Sequence, residues 1–173
     1  MDLGAVERIT TDAVGEPGAR TFYLQARGAD HVVTVAVEKE QVQLLSASIL
    51  ELLADLEVET GLGPGEDEMA LEDPVEARWR AGKLSIGFDQ DKDLFQLEIE
   101  ELQPDLEEDD PRSLLLGEPE TVRLLATREQ MLALSRHGAE VSQRGRPACQ
   151  FCGNPMDPEG HACPAMNGHS RRA

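Results

Sequence analysis

Two ten-residue stretches of the chain line up without a gap. VEKEQVQLLS at 37–46 matches ATREQMLALS at 126–135, with Glu40 opposite Glu129, Gln41 opposite Gln130, Leu45 opposite Leu134 and Ser46 opposite Ser135. Each stretch follows a β-branched or apolar strand-like run and opens a run with helical spacing. In the first, Val42, Leu45, Ile49, Leu52, Leu53 and Leu56 form one stripe, predicting a helix from about Lys39 to Glu57, ended by Gly61 and Pro64. In the second, REQMLALSRHGAEVSQ predicts a helix after the strand TVRLLAT. Two more strands precede each junction. Phe22, Leu24 and Ala26 alternate with Tyr23, Gln25 and Arg27, the period of a half-buried strand. Leu84, Ile86 and Phe88 alternate on one arm of a predicted hairpin, Phe95, Leu97 and Ile99 on the other, with Asp89 to Asp93 as the turn.

The fold expectation is therefore α+β: an antiparallel sheet with two helices from a duplicated β-β-β-α unit, plus a C-terminal zinc-ribbon-like appendix. The main domain is placed at 1–143, with halves at about 1–60 and 76–143 and acidic loops at 60–76 and 103–120; the tail is 144–173. The competing reading of the internal match is coincidence, since strand-to-helix junctions often begin with charged helix formers.

All three cysteines of the 173-residue chain fall in the tail, in CQFCGNPMDPEGHACPAMNGH at 149–169. Cys149 and Cys152 can bind one ion from a single tight turn, and Gly153 after them permits the positive φ that aims backbone N–H groups at sulfur. His161 and Cys163 add two further ligands. Four donors of this kind suit tetrahedral Zn2+. The expected ligands are Cys149, Cys152, His161 and Cys163. Because His161 and Cys163 are only one residue apart, Cys163 with His169 is the alternative pair. Two other readings compete: a thioredoxin-like redox pair, which would normally open a helix after a strand, and metal-free cysteines. Four protein ligands leave no position for a reactant, so the zinc is expected to be structural. The segment holds few apolar residues and could not fold by burial alone.

Charge and length narrow the function. The net charge of −18 disfavours nucleic acid and anionic membrane surfaces. From Val141 onward the tail carries four arginines and two acids, net +2, which leaves −20 on the rest. Nucleic-acid binding is accordingly not expected. No run of apolar residues is long enough to span a membrane, and no secretory signal is visible. Clustered cysteines in an odd number argue for a reducing, cytoplasmic setting. Aromatics are only 3%, so the core must be built from Val, Leu, Ile and Ala. No phosphate-binding glycine loop and no nucleophile elbow occurs. His137 is expected to be an exposed helical residue. Trp79 is expected to pack at the start of a strand, and the carboxylates at 98–110 to be solvated.

VGEPGARTFYLQARG, VAVEKEQV, the acidic middle loop and the ending CxFCGxPMDPEGHxCPxxNGH together resemble an actinobacterial family of proteins of unknown function, sometimes labelled a repeat protein. The resemblance spans essentially the whole chain, and the C-terminal motif is its most specific part. In that family the last His of NGH is often aromatic, which implies His161 rather than His169 as the fourth ligand. It also suggests genomic neighbours resembling a lipid kinase and a phosphoglycerate-mutase-like phosphatase, and implies no activity. The leading expectation is a non-enzymatic cytoplasmic protein that binds a protein partner through its acidic loops or zinc module. The alternative is an enzyme or small-ligand protein, for instance for a phosphorylated metabolite, with its pocket between the two halves.

Overall fold

A computed structural model of the chain describes residues 1–104, 117–145, 149–153, 156 and 163. In chain order its elements are β1 (Asp2–Ala5), β2 (Arg8–Val14), β3 (Thr21–Arg27), β4 (Val32–Val37), α1 (Lys39–Asp55), β5 (Ala81–Asp89), β6 (Leu94–Glu101), β7 (Thr121–Ala126) and α2 (Arg128–Gln143). The class is α+β. The strands form two sheets, β2-β3-β4 and β1-β7-β6-β5. Both are antiparallel except that β1 runs parallel to β7.

Register follows the period-2 pattern of the sequence. In the second sheet Leu84, Ile99 and Val122 form one cross-strand row, Ile86, Leu97 and Leu124 the next, and Phe88, Phe95 and Ala126 the third. This face is the core face, and the opposite face pairs Glu98 with Arg123 and Lys83 with Glu100. In the first sheet Ile9, Ala26 and Val33 share a row, and Thr11, Leu24 and Val35 the next. A single cluster of buried side chains joins both sheets to both helices.

The two sheets are tied reciprocally. Residues 78–80, just before β5, run parallel to β4, with Ala36 N–H donating to Trp79 O at 2.9 Å and Arg78 N–H to Thr34 O at 2.8 Å. β1, just before β2, runs parallel to β7. Gln41 accepts the N–H of Glu38 at the start of α1 and donates to Ala81 O and Gly82 O at the start of β5. Gln130 accepts the N–H of Thr127 at the start of α2 and donates to Val6 O and Glu7 O ahead of β2. These are the two glutamines that the sequence comparison sets opposite each other. Each caps its own helix and grips the entrance of the other half.

The helices cross at Gly138. A Cβ there would lie 2.6 Å from Ser46 Oγ and 3.2 Å from both Thr11 Cγ2 and Val42 Cγ1. Nearby, Ser135 Oγ donates to Ser46 O at 2.7 Å. Gly138→Val is therefore expected to lower stability by about 1–3 kcal/mol through overpacking, despite valine's better helix propensity. Urea unfolding checks this; an unchanged midpoint would show the crossing to be slack.

The segment at 60–76, read as an acidic loop, is anchored on the far face of the first sheet. Thr10, Gln25 and Thr34 form a buried polar row across three strands. Gln25 donates to Thr34 Oγ1 and Glu72 O and accepts the N–H of Glu72, while Thr10 Oγ1 donates to Met69 O. Arg8 and Arg27 both pair with Glu72, and Met69 is 1% exposed. A buried polar row needs partners, and the loop's backbone provides them. His137, expected on the surface, is 3% exposed. Its Nδ1 lies 2.7 Å from Glu66 Oε2. The reason is the same loop: Gly63, at φ +73, passes against the backbone of Glu129 where a Cβ would lie 2.2 Å from the carbonyl oxygen. The chain that follows roofs α2. Trp79 is buried, with Nε1 directed at Glu120 Oε2 at 3.3 Å.

Candidate metal centre

The tail segment begins after α2. Residues 150–152 form a turn, closed by Gly153 N–H donating to Cys149 O at 2.8 Å. Gly153 has φ +74, in the left-handed region that glycine enters at no steric cost. The turn directs Phe151 N–H at Cys149 Sγ, 3.4 Å away. This hydrogen bond, with a second from the N–H of Cys152, holds the Cys149 thiol below its ordinary value, against the opposing effect of burial. Backbone donors on sulfur favour the thiolate, which is the form that ligates metal.

Cys163 comes back to the same place. The Sγ atoms of Cys149, Cys152 and Cys163 all lie within 4.8 Å of one another, and no disulfide joins them. Cys149 Sγ and Cys163 Sγ are 3.8 Å apart. A disulfide needs about 2.05 Å. Two thiolates on one tetrahedral zinc, each about 2.3 Å from it, stand about 3.8 Å apart. The spacing therefore fits one edge of a coordination tetrahedron and not a covalent bridge. Cys149 and Cys163 are buried and Cys152 is half-buried. None of the three belongs to the main hydrophobic cluster.

Three sulfur donors can hold a metal ion. Of the four expected ligands, Cys149, Cys152 and Cys163 are brought together. His161, and its alternative His169, lie outside the described residues. The sequence signal missed nothing among the sulfurs. The backbone N–H expected to point at sulfur is that of Phe151, a residue otherwise 70% exposed.

Two further observations bear on function. One enclosed cavity, among Thr11, Leu24, Val42, Ser46, Leu84 and Leu134, is about 10 Å³, room for about one water. More open grooves of about 300 Å³ and 250 Å³ lie between α1 and β5 and between α1 and α2. No helix among the described residues is long and apolar enough to cross a membrane.

A model of the family described as a protein of unknown function (DUF3090) matches residues 1–163. No curated protein and no solved structure matches the chain. The chain belongs to that family.

Proposed function

We propose that this member of the DUF3090 family is a non-enzymatic cytoplasmic protein that binds a protein partner, with its tail held by one structural zinc ion. The observation that carries the reading is the 3.8 Å separation of Cys149 and Cys163 sulfurs in a three-sulfur cluster. Cys149, Cys152 and Cys163 are three of the ligands and His161 is the fourth. Sulfur-rich donor sets select zinc over oxygen-loving cations. A fourth protein ligand closes the site, so the ion shapes the tail and performs no reaction. Thiols kept close without a disulfide fit a reducing compartment.

Charge supports the choice of partner. Exposed acids of the anchored loop, including Asp67, Glu68 and Glu76, stand on a chain of net charge −18. A protein with a basic surface is the matching partner, steered by long-range attraction that weakens with salt. The alternative is an enzyme or small-ligand protein with its pocket between the halves, where the open grooves of about 300 Å³ between α1 and β5 and about 250 Å³ between α1 and α2 are the places to test for ligand.

Elemental analysis of protein purified without chelator or added metal is expected to give close to one zinc per chain, and much less after Cys149→Ser with Cys163→Ser. In the same preparations, affinity capture from native lysate at low and moderate salt is expected to recover a basic protein. Absence of bound metal sinks the tail assignment. Recovery of nothing above background at either salt sinks the partner assignment.

A further inference from the structure

We propose that the outer edge of β5 is a pairing surface for a second copy of this chain, joining the two β1-β7-β6-β5 sheets into one. Among the described residues β5 is the longest strand at nine residues and is hydrogen-bonded to a neighbouring strand, β6, on one side only. The three other sheet edges are handled differently: α2 packs along β2. The outer side of β4 is engaged by 78–80. β1 is four residues long, with a register irregularity. Long flat edges invite pairing unless charge, proline or a bulge blocks them. β5 has an irregularity only between Ala81 and Lys83, and the run from Lys83 to Asp89 is unbroken.

Burial along the sheet points outward through this edge. In each core row the β6 and β7 residues are buried, at 0–2% exposure, while Leu84, Ile86 and Phe88 of β5 are only half-buried. Beside them a groove of about 300 Å³ opens between β5 and α1, lined by Leu44, Leu45, Ser48, Leu84 and Ile86. Leu44 is 68% exposed. A partner strand and its own α1 would cover these side chains.

The occupant is a second copy because the strand is complementary to itself. Set two β5 strands antiparallel about a twofold axis through Ile86. Ile86 then faces Ile86, Leu84 faces Phe88 and Ser85 faces Gly87. Lys83 faces Asp89, and the symmetry repeats that opposite-charge pair. The apolar residues fall on the core face and the charged ones on the solvent face, as in the native rows. Gly87 carries no side chain, and a Cβ there would meet nothing within 4 Å, so the approach is open. The strand contains one lysine and one aspartate, hence no net charge, in a chain of net charge −18. Elsewhere two copies repel; along this edge they do not. Within one chain Lys83 reaches Glu100 at 3.5 Å and Asp89 reaches Lys92 at 2.9 Å. Both are exposed pairs that can exchange or share partners.

The test is sedimentation of the full chain over a wide concentration range, with amide hydrogen exchange at matched concentrations. The expected result is a concentration-dependent species of about twice 18.9 kDa, with slowed exchange confined to amides of 82–88. Lys83→Glu lies on the solvent face and leaves the fold intact; it turns two attractive pairs repulsive and should weaken dimerisation about tenfold. Ile86→Lys places two ammonium groups on the axis and should leave only monomer, with an unchanged circular dichroism spectrum. A single monomeric species at every concentration overturns the proposal. So does a dimer whose β5 amides exchange as in the monomer, or one that both substitutions leave unweakened. None of these outcomes depends on the zinc reading.

Discussion

If the tail holds the proposed ion, removing it is expected to separate Cys149, Cys152 and Cys163 while the two-sheet body melts as before. The cysteines lie outside the main hydrophobic cluster, so nothing in that cluster relies on them. The segment itself has little apolar surface to bury. Its order would come from the ion, and structural zinc in finger-sized peptides contributes on the order of 10–16 kcal/mol at neutral pH. Without it the chain entropy of some fifteen residues, about 1–2 kcal/mol each for backbone alone, is unopposed. Limited proteolysis after treatment with a strong chelator, or of Cys163→Ser, is expected to clip the chain within this segment and leave a stable product ending near α2. The melting temperature of that product should match the intact chain within a few degrees. Simultaneous loss of tail and body would mean that the tail is packed into the main structure. No change on chelation would mean that no ion organises it.

Phe95→Ala is expected to destabilise the body by about 3–5 kcal/mol, a large share of the ~5–15 kcal/mol typical of a domain. Phe95 is 0% exposed and sits in the middle of the row between Phe88 and Ala126. Its ring meets that of Phe88 edge-on, with centroids 5.0 Å apart and planes at 63°, a geometry that adds about 0.5–1.5 kcal/mol beyond area burial. Phe88→Ala, at the half-buried edge, should cost distinctly less because its site was never fully closed to water. Urea denaturation of both variants measures the difference. Equal losses would show the edge to be as tightly packed as the centre, and would count against an open β5 as well.

The strands and helices were legible because each has a local period. Leu84, Ile86 and Phe88 alternate, and so do Phe95, Leu97 and Ile99; the structure places them in facing rows. The helix stripe of Val42, Leu45, Ile49 and Leu53 is the buried face of α1. Cys149, Cys152 and Gly153 were legible for a different reason. A turn that aims two sulfurs and a backbone N–H at one point requires those residue types at that spacing, wherever the turn lies in the fold. Cys163 required a guess about chain return, and the structure brings it to 3.8 Å from Cys149.

What escaped were the relations between elements. Nothing in Thr10, Gln25 and Thr34 announces a polar row sealed by the backbone of Met69 and Glu72, because a threonine facing water and one facing a loop look alike in sequence. His137, beside Arg136 and with no identifiable Ser or Cys partner in the sequence, reads as an exposed helical residue; it is buried because a glycine-bearing loop from elsewhere in the chain passes over it. The exchange of lead-in strands, β1 beside β7 and 78–80 beside β4, follows from packing of the halves and from no local pattern. By itself the sequence determined which residues turn inward within each strand or helix and which sulfurs can share an ion, since both follow from fixed backbone repeats and short-range geometry. Tertiary structure alone decided which element covers which face and which edge stays open, since those depend on contacts between residues far apart in the chain, whose chemistry is common to many alternative pairings.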